Sequence, residues 1–389
     1  MNKKRNLSTS QQILTKPSTK KGILVKQFST ICPCCSEQPL SYPEIANEVR
    51  DFFEKHEIKF SLIKDKLTNW RLKAKLAARK HNKKLTLGLF YKNTHKIVPI
   101  DSCKAHHKLI TKIASIIEKE AKIHSIIPYN DDLSTGDLRY VQIVVNETEN
   151  KAQVSFVINN NALSDHVRNF ILSFKKYQFI ESVWANYNTK ESNVIFSNNW
   201  EHFYGCDYLW QSFLGKQFAF HPAAFMQAHK QIFEKMLIYI EENVPKEASI
   251  LELYAGAGVI GLSLISKSNN ITLVENNPFS KVSFEETIKK TFSKQTGKVS
   301  YICQDAALVD DFENFDTIIL DPPRKGLSKK LIEKLCPLKN KTIIYVSCNF
   351  STFKKDVEEL MKNNWKLLDA KCFLMFPGSN HLEIIGVLK

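Results

Sequence analysis

The 389-residue sequence predicts an α/β protein that ends in a doubly wound sheet and is preceded by a smaller α+β region. Three observations carry this. After about residue 215, strand-like runs alternate with helical ones: ASILELY, ITLVENN, VSYICQD, FDTIILD, KTIIYVSC, WKLLDAKCFLMF and LEIIGVL. Such alternation builds a sheet with helices on both faces and ligands at the carboxyl ends of its strands. The first run leads into a glycine loop, LELYAGAGVIGLSL, in which Gly256, Gly258 and Gly261 fit the G-x-G-x-x-G spacing of a turn that lets backbone approach a ligand. Before residue 215, the runs LRYVQIVVNE, AQVSFVIN and ESVWANYN read as antiparallel β.

Along the chain, residues 1–31 carry seven Lys or Arg and no acid, a composition unable to bury a core, and are read as a basic flexible arm. Their Ser/Thr content also resembles an organelle transit peptide, although such peptides favour Arg. Residues 32–125 hold helical patterns, SYPEIANEVRDFFEKH and AHHKLITKIASIIEKEAKIH, around the β-like LTLGLFYKNTHKIVPID. Residues 126–215 form the antiparallel central region, and 216–389 the Rossmann-like domain. No fixed-period repeat is present. No apolar run is long enough for a membrane span and no secretory signal opens the chain, so a cytoplasmic location is expected.

The formal charge of +15 points to a polyanionic partner, nucleic acid first, over a small neutral metabolite; the plain alternative is a set of solvated lysine faces. Nine cysteines, with Cys32, Cys34 and Cys35 packed together, do not form a regular disulfide framework and suggest thiol or metal chemistry.

The glycine loop suits either a nicotinamide cofactor or S-adenosylmethionine. Glu252, inside an otherwise apolar strand, needs a donor such as a methionine amino group. Glu275 ends the next strand, where a carboxylate can accept ribose hydroxyls under both readings. Asp305 ends the third strand, placed for an adenine amino group or for a helix N-cap. Asp321 ends the fourth, where Pro322 and Pro323 fix the loop over the crevice. A DPP beside a glycine loop points to methyl transfer, and Arg324 stands where enzymes acting on exocyclic amines have an aromatic. Cys348, closing the fifth strand between Ser347 and Asn349, suits methylation of a pyrimidine at carbon 5: thiolate addition at carbon 6 makes carbon 5 nucleophilic. A base must then remove the carbon 5 proton. FPGSNHLEIIGVL offers Glu383, with His381 two residues earlier on the same side of a strand; a salt-bridged edge residue is the alternative for that Glu.

DPPRKGL, SCN and FPGSNHLE together resemble the RNA uracil-5 methyltransferase family, over roughly residues 32–389. The resemblance implies a class I S-adenosylmethionine-dependent methyltransferase domain after an RNA-binding region, with Cys348 as nucleophile and Glu383 as proton acceptor. It implies cofactor contacts at Gln227 in AFMQAH, Tyr254, Glu275, Asp305 and Asp321, and flipping of the target base. WRLKAKLA, residues 70–77, looks like the family's RNA-contacting segment, with Arg71 and Lys73 as phosphate contacts. Relatives with a 4Fe-4S cluster use four cysteines; Cys32, Cys35 and Cys103 match three, and no cysteine precedes Cys32, so Cys34 would have to serve. The form MFPGSNHLE resembles ribosomal-RNA members more than transfer-RNA members, making 23S ribosomal RNA the first expected substrate and tRNA the second. A noncatalytic RNA-binding factor is disfavoured by the intact Cys348, Glu383 and Gln227, and a nicotinamide oxidoreductase by Glu252 and the DPP loop.

Overall fold

The computed structural model describes residues 38–389 apart from Lys92, Ser192 and Asn193. The basic arm and Cys32, Cys34 and Cys35 lie outside the described residues.

The C-terminal sheet is centred on Ala248–Leu253, parallel to Ser268–Glu275 on one side and Thr317–Leu320 on the other. Val299–Cys303 extends the first side, and Thr342–Ser347 the second. Glu383–Leu388 runs antiparallel between Thr342–Ser347 and Leu367–Phe373. The two-residue strand Leu62–Ile63, from far earlier in the chain, closes the Leu367–Phe373 edge. All residues of Thr317–Leu320, Thr342–Ser347 and Glu383–Leu388 are buried, which is why these strands read as continuous rather than alternating apolar runs. Strand order reverses between Ala248–Leu253 and Thr317–Leu320, and this switch point opens the crevice where ligands bind in such sheets.

A second sheet has seven strands in the order Ile97–Pro99, Lys84–Phe90, Lys73–His81, Leu138–Asn146, Lys151–Ile158, Ile180–Tyr187, Trp200–Gly205. It is antiparallel except where Lys151–Ile158 meets Ile180–Tyr187 through a helical crossover, Asp165–Leu172. It draws strands from both sides of the boundary expected at residue 125, while the helix Ile45–Lys55 packs into the core of the C-terminal sheet through Ala46, Val49, Phe52 and Phe53. The segment KAKLAARKH is rich in helix formers yet forms the strand Lys73–His81. Leu72, Ala74, Leu76 and Ala78 alternate at period two and are buried in the core that the helix Lys108–Ile123 also enters, so packing overrides propensity.

A strand and the turn after it join the two sheets. The strand Lys216–Phe220 runs into a turn, His221–Ala224, closed by Ala224 N donating to His221 O (2.9 Å), and the backbone of both is held from two sides. Toward the seven-stranded sheet, the carbonyls of Phe220, Pro222 and Ala224 accept from Gln153 Nε2 (3.5 Å), Gln142 Nε2 (2.8 Å) and Lys73 Nζ (2.9 Å). Toward the helix Pro278–Thr291, the N–H groups of Ala219 and His221 donate to Thr287 Oγ1 (2.9 Å) and Ser283 Oγ (3.0 Å), and Ala223 O accepts from Asn277 Nδ2 (3.1 Å). Past the end of the strand no ladder partner remains, and these side chains satisfy the backbone groups instead.

Gly261 sits where the short helix Val259–Ser263 crosses the sheet; a Cβ there would stand 2.6 Å from both Glu252 Oε2 and Leu273 Cδ2. Gly261→Ala is therefore expected to cost about 1–3 kcal/mol of stability, read as a lower denaturant midpoint at unchanged m-value. An unchanged midpoint would mean that the helix shifts without cost.

Candidate active site

The glycine loop turns on three left-handed residues, Tyr254 (φ 63°), Gly256 (φ 55°) and Gly258 (φ 78°), the first of them not a glycine. Glu275 stabilises the turn: one oxygen accepts from Gly256 N (3.1 Å) and the other from Asn277 N (2.8 Å). Tyr301 donates its hydroxyl to Gly256 O (2.8 Å). Each Glu275 oxygen keeps a further lone pair for a ligand.

A pocket opens over this loop, lined by Phe225, Gln227, Glu252, Tyr254, Gly256 and Asp321 among others. Of the five residues expected to contact cofactor, Gln227, Tyr254 and Asp321 face it; Glu275 sits behind the loop and Asp305 stands outside the lining. Asp305 is exposed and caps the turn Ala306–Leu308 by accepting from Ala307 N (2.8 Å), so the capping alternative is the arrangement seen. Glu252 finds its donor within the chain, in Gly261 N at 2.7 Å, which corrects the expectation that a ligand amine was needed.

Carboxylates crowd this pocket. Burial, only partly offset by the Gly261 N–H, pushes Glu252 up to about 8, with Asp321 and Glu275 adding repulsion. Burial and then the nearby Glu275 push Asp321 up to about 7. A cationic ligand would relieve this repulsion, and a sulfonium bearing an α-amino group has that character. The residues present thus fit S-adenosylmethionine.

The Cys348 side is built from two antiparallel neighbours, Thr342–Ser347 and Glu383–Leu388. Ser347 pairs with Ile384 in the antiparallel register, so one step further Cys348 lies across from Glu383. Glu383 is buried and opens its strand; His381 precedes that strand and is exposed, so the two do not share a strand face. Asn349 caps the helix Phe350–Lys362 by accepting from Ser351 N, and its amide donates to Arg324 O (3.0 Å), tying the DPPRKG loop to Cys348. Gly326 (φ 74°) and Asp356, whose carboxylate accepts from Leu327 N and Tyr345 Oη, fix the rest of that loop. Burial pushes the Cys348 thiol up to about 11, Glu383 and Asp321 raise it further, and Arg324 draws it down. Burial and Asp321 likewise push Glu383 up to about 8, again opposed by Arg324. Cys348, Glu383, Asp321 and Arg324 are one electrostatic unit.

The front of the chain meets this unit at Trp70. Its ring stacks on His229 (5.4 Å, 14°) and meets Phe376 edge-on, and Leu72 N donates to Ala228 O, so the Gln227 segment and the loop before Glu383 share one support. Lys73, expected to contact phosphate, instead holds Ala224 O; Arg71 lies over the Trp70 ring (5.3 Å). Cys103 is half-buried beside Trp70 and Ala105. Among the described residues no three His, Cys, Asp or Glu side chains converge as metal ligands. With Cys32 and Cys35 outside those residues, no step below runs through a cluster. The clamp on residues 219–224 had no sequence signal, because its partners are scattered Gln, Lys, Asn, Ser and Thr side chains.

Residues 206–389 match a family model described as tRNA (uracil-5-)-methyltransferase. A Protochlamydia amoebophila protein named an uncharacterized RNA methyltransferase is 35% identical over 381 residues, 96% of this chain and 99% of that protein. The tRNA (uracil(54)-C(5))-methyltransferase of Pyrococcus furiosus is 27% identical over 297 residues, 75% of this chain and 67% of its own. Among solved structures, the tRNA (uracil-54, C5)-methyltransferase of Pyrococcus abyssi, in complex with S-adenosyl-L-homocysteine, shares the fold with a TM-score of 0.75 over 90% of this chain and 84% of that one, at 24% identity.

Two outcomes follow from the electrostatics. Because Glu252 binds its proton more tightly folded (about 8) than unfolded (4.5), its contribution to stability is present below pH 4.5 and is lost as pH rises toward 8. Glu252→Gln, which keeps an acceptor for Gly261 N–H, is expected to flatten that decline by at most ~1.4 kcal/mol per pH unit in denaturation curves; an unaltered slope would place the charge elsewhere. Site-resolved alkylation of Cys348 by iodoacetamide should titrate above the ordinary thiol range, and Arg324→Gln should move the curve higher still and slow the reaction at pH 8 several-fold. A curve that stays put would remove Arg324 from the thiol's field.

Proposed function

Because the chain belongs to the RNA uracil-5 methyltransferase family, we propose that it methylates carbon 5 of a uridine in RNA, with Cys348 as nucleophile and Glu383 as proton acceptor. What supports this reading most is that Cys348 and Glu383 lie just past the last register pair, Ser347 with Ile384, with Glu383 acting on the thiol's charge and Asp321 of the carboxylate-lined pocket acting on both. S-adenosylmethionine, when bound, supplies a methyl group on a positively charged sulfur. Gln227, Tyr254 and Asp321 would hold it from the pocket walls, with the spare lone pairs of Glu275 on the ribose and Asp305 at the adenine end.

Cys348 gives its proton to solvent and Sγ adds to carbon 6 as the thiolate, and the electron pair of the 5,6 double bond moves into an enolate. Carbon 5 takes the methyl group. Glu383, ionised, removes the carbon 5 proton; the 5,6 double bond reforms and the carbon–sulfur bond breaks, releasing Cys348 as thiolate. Arg324 lowers both Cys348 and Glu383 toward their working ionisation states. The target base must leave its stack to reach Cys348.

The charge of +15 supports an RNA substrate, with Arg71 as a phosphate contact. The MFPGSNHLE form favours ribosomal RNA as the first substrate; the name of the Pyrococcus furiosus relative favours transfer RNA as the second reading.

Labelled methyl transfer to unmodified ribosomal and transfer RNA in parallel tests the proposal. Label is expected in 5-methyluridine from one RNA and is expected to be absent with Cys348→Ala. Glu383→Gln should lower turnover roughly 10²–10⁴-fold while trapping an RNA–protein adduct that survives denaturing electrophoresis. Label surviving in the Cys348→Ala variant, or found on another atom, would overturn the assignment.

A further inference from the structure

At the far end of the seven-stranded sheet lies a groove of about 1140 Å³, between the hairpin Lys80–Thr86, the last turns of the helix Lys108–Ile123 and the loop through residues 126–135. Lys80, Lys83, Lys84, Lys96, Lys119 and Lys122 line it, all exposed, and none forms an ion pair among the described residues. The acids present are mostly engaged. Asp131 takes both its bonds from Arg79 (2.6 and 2.8 Å), and Glu118 accepts from Leu87 N (2.8 Å). Asn82 (φ 48°) and Lys83 (φ 63°) make the tight two-residue turn that holds Lys83 and Lys84 over the rim.

This groove is remote from the chemistry. Lys73, which holds the segment leading to Gln227, and His81, at the groove, stand at opposite ends of one strand about 26 Å long. No titratable pair or nucleophile of the proposed reaction reaches it.

We propose that the groove docks the sugar–phosphate backbone of the substrate RNA at a distance from the target uridine, an inference that rests on the RNA reading above. Ammonium groups are point charges suited to phosphates without a fixed register, and the one guanidinium here, on Arg79, is already forked onto Asp131. An acidic peptide would want a free guanidinium fork, which the lining does not offer; a continuous polyanion needs none. The hydroxyls of Thr86, Ser115 and Ser125 on the lining suit ribose and phosphate oxygens.

The test uses the full chain and a long unmodified ribosomal RNA transcript, with binding measured across a KCl series. Each phosphate contact removed should make the slope of log K against log[salt] shallower by ~0.7–0.9. Replacing Lys83, Lys84, Lys119 and Lys122 by Gln together should therefore flatten the slope by about 3 and weaken binding at least tenfold at low salt. The hairpin pair and the helix pair, tested separately, should each give about half. Lys339→Gln with Lys366→Gln, at the opposite ends of the C-terminal strands, should change neither. In methyl transfer, kcat/KM should fall for the long RNA at unchanged kcat and stay level for a short uridine-containing oligonucleotide. A slope equal to the wild type's, or equal losses on short and long RNA, would overturn the proposal. If no RNA is methylated by the wild type yet the slope still flattens, the uridine reading fails and the groove stands.

Discussion

The segment from Ala219 to Ala224 is the constraint on which the rest depends. The two sheets have different topologies and share one apolar core, and this segment adds directed hydrogen bonds to that nondirectional packing. Carbonyls gripped by Lys73, Gln142 and Gln153 on one side, and N–H groups gripped by Ser283 and Thr287 on the other, make a strand end and the turn after it act as a common wall. Gln227 follows three residues later, and Trp70 braces the same stretch through His229. The front region is thus part of the frame of the pocket, and a shift of the sheet that carries Lys73 would be felt at Gln227.

A second theme is charge held away from its ordinary state. Glu252, Asp321 and Glu383 all sit above the usual carboxylate range, and the Cys348 thiol above its own, for the shared reason that burial and mutual repulsion oppose negative charge. Arg324 is the opposing positive charge acting on Cys348 and Glu383. A cation entering the pocket would lower the cost of every one of these anions together. Because Asp321 acts on both Cys348 and Glu383, a cation beside it would be felt at both.

Much of this was legible in the sequence. The seven C-terminal strands are visible as apolar runs, and DPPRKGL and SCN put Asp321 and Cys348 at strand ends, where the structure has them; Glu383, read within a strand that His381 shared, instead opens that strand. The strand Lys73–His81 was missed because its Ala, Lys and Arg content favours helix, although the alternation of Leu72, Ala74, Leu76 and Ala78 carried the right period. The donor to Glu252 was sought in a ligand because a contact between strand and following helix has no local signature; Gly261 was read only as a glycine of the loop. Boundaries were harder still: residues 73–205 share one sheet, and the helix Ile45–Lys55 belongs with a core whose other members lie hundreds of residues later.

That last arrangement bears on how the chain reaches its fold. Leu62 and Ile63 pair with Cys372 and Phe373, Gln38 N donates to Gly378 O, and Ile45 N donates to Asn380 Oδ1. Early residues therefore wait for the penultimate strand before they can be satisfied. Contacts of such sequence separation close slowly, since loop entropy must be lost before any reward. During synthesis the helix Ile45–Lys55 would leave the ribosome with its apolar face uncovered, and the Leu367–Phe373 edge would be sealed only when both halves of the chain are present. The sheet that carries Cys348 is closed at one edge by a segment made well before any of its other strands.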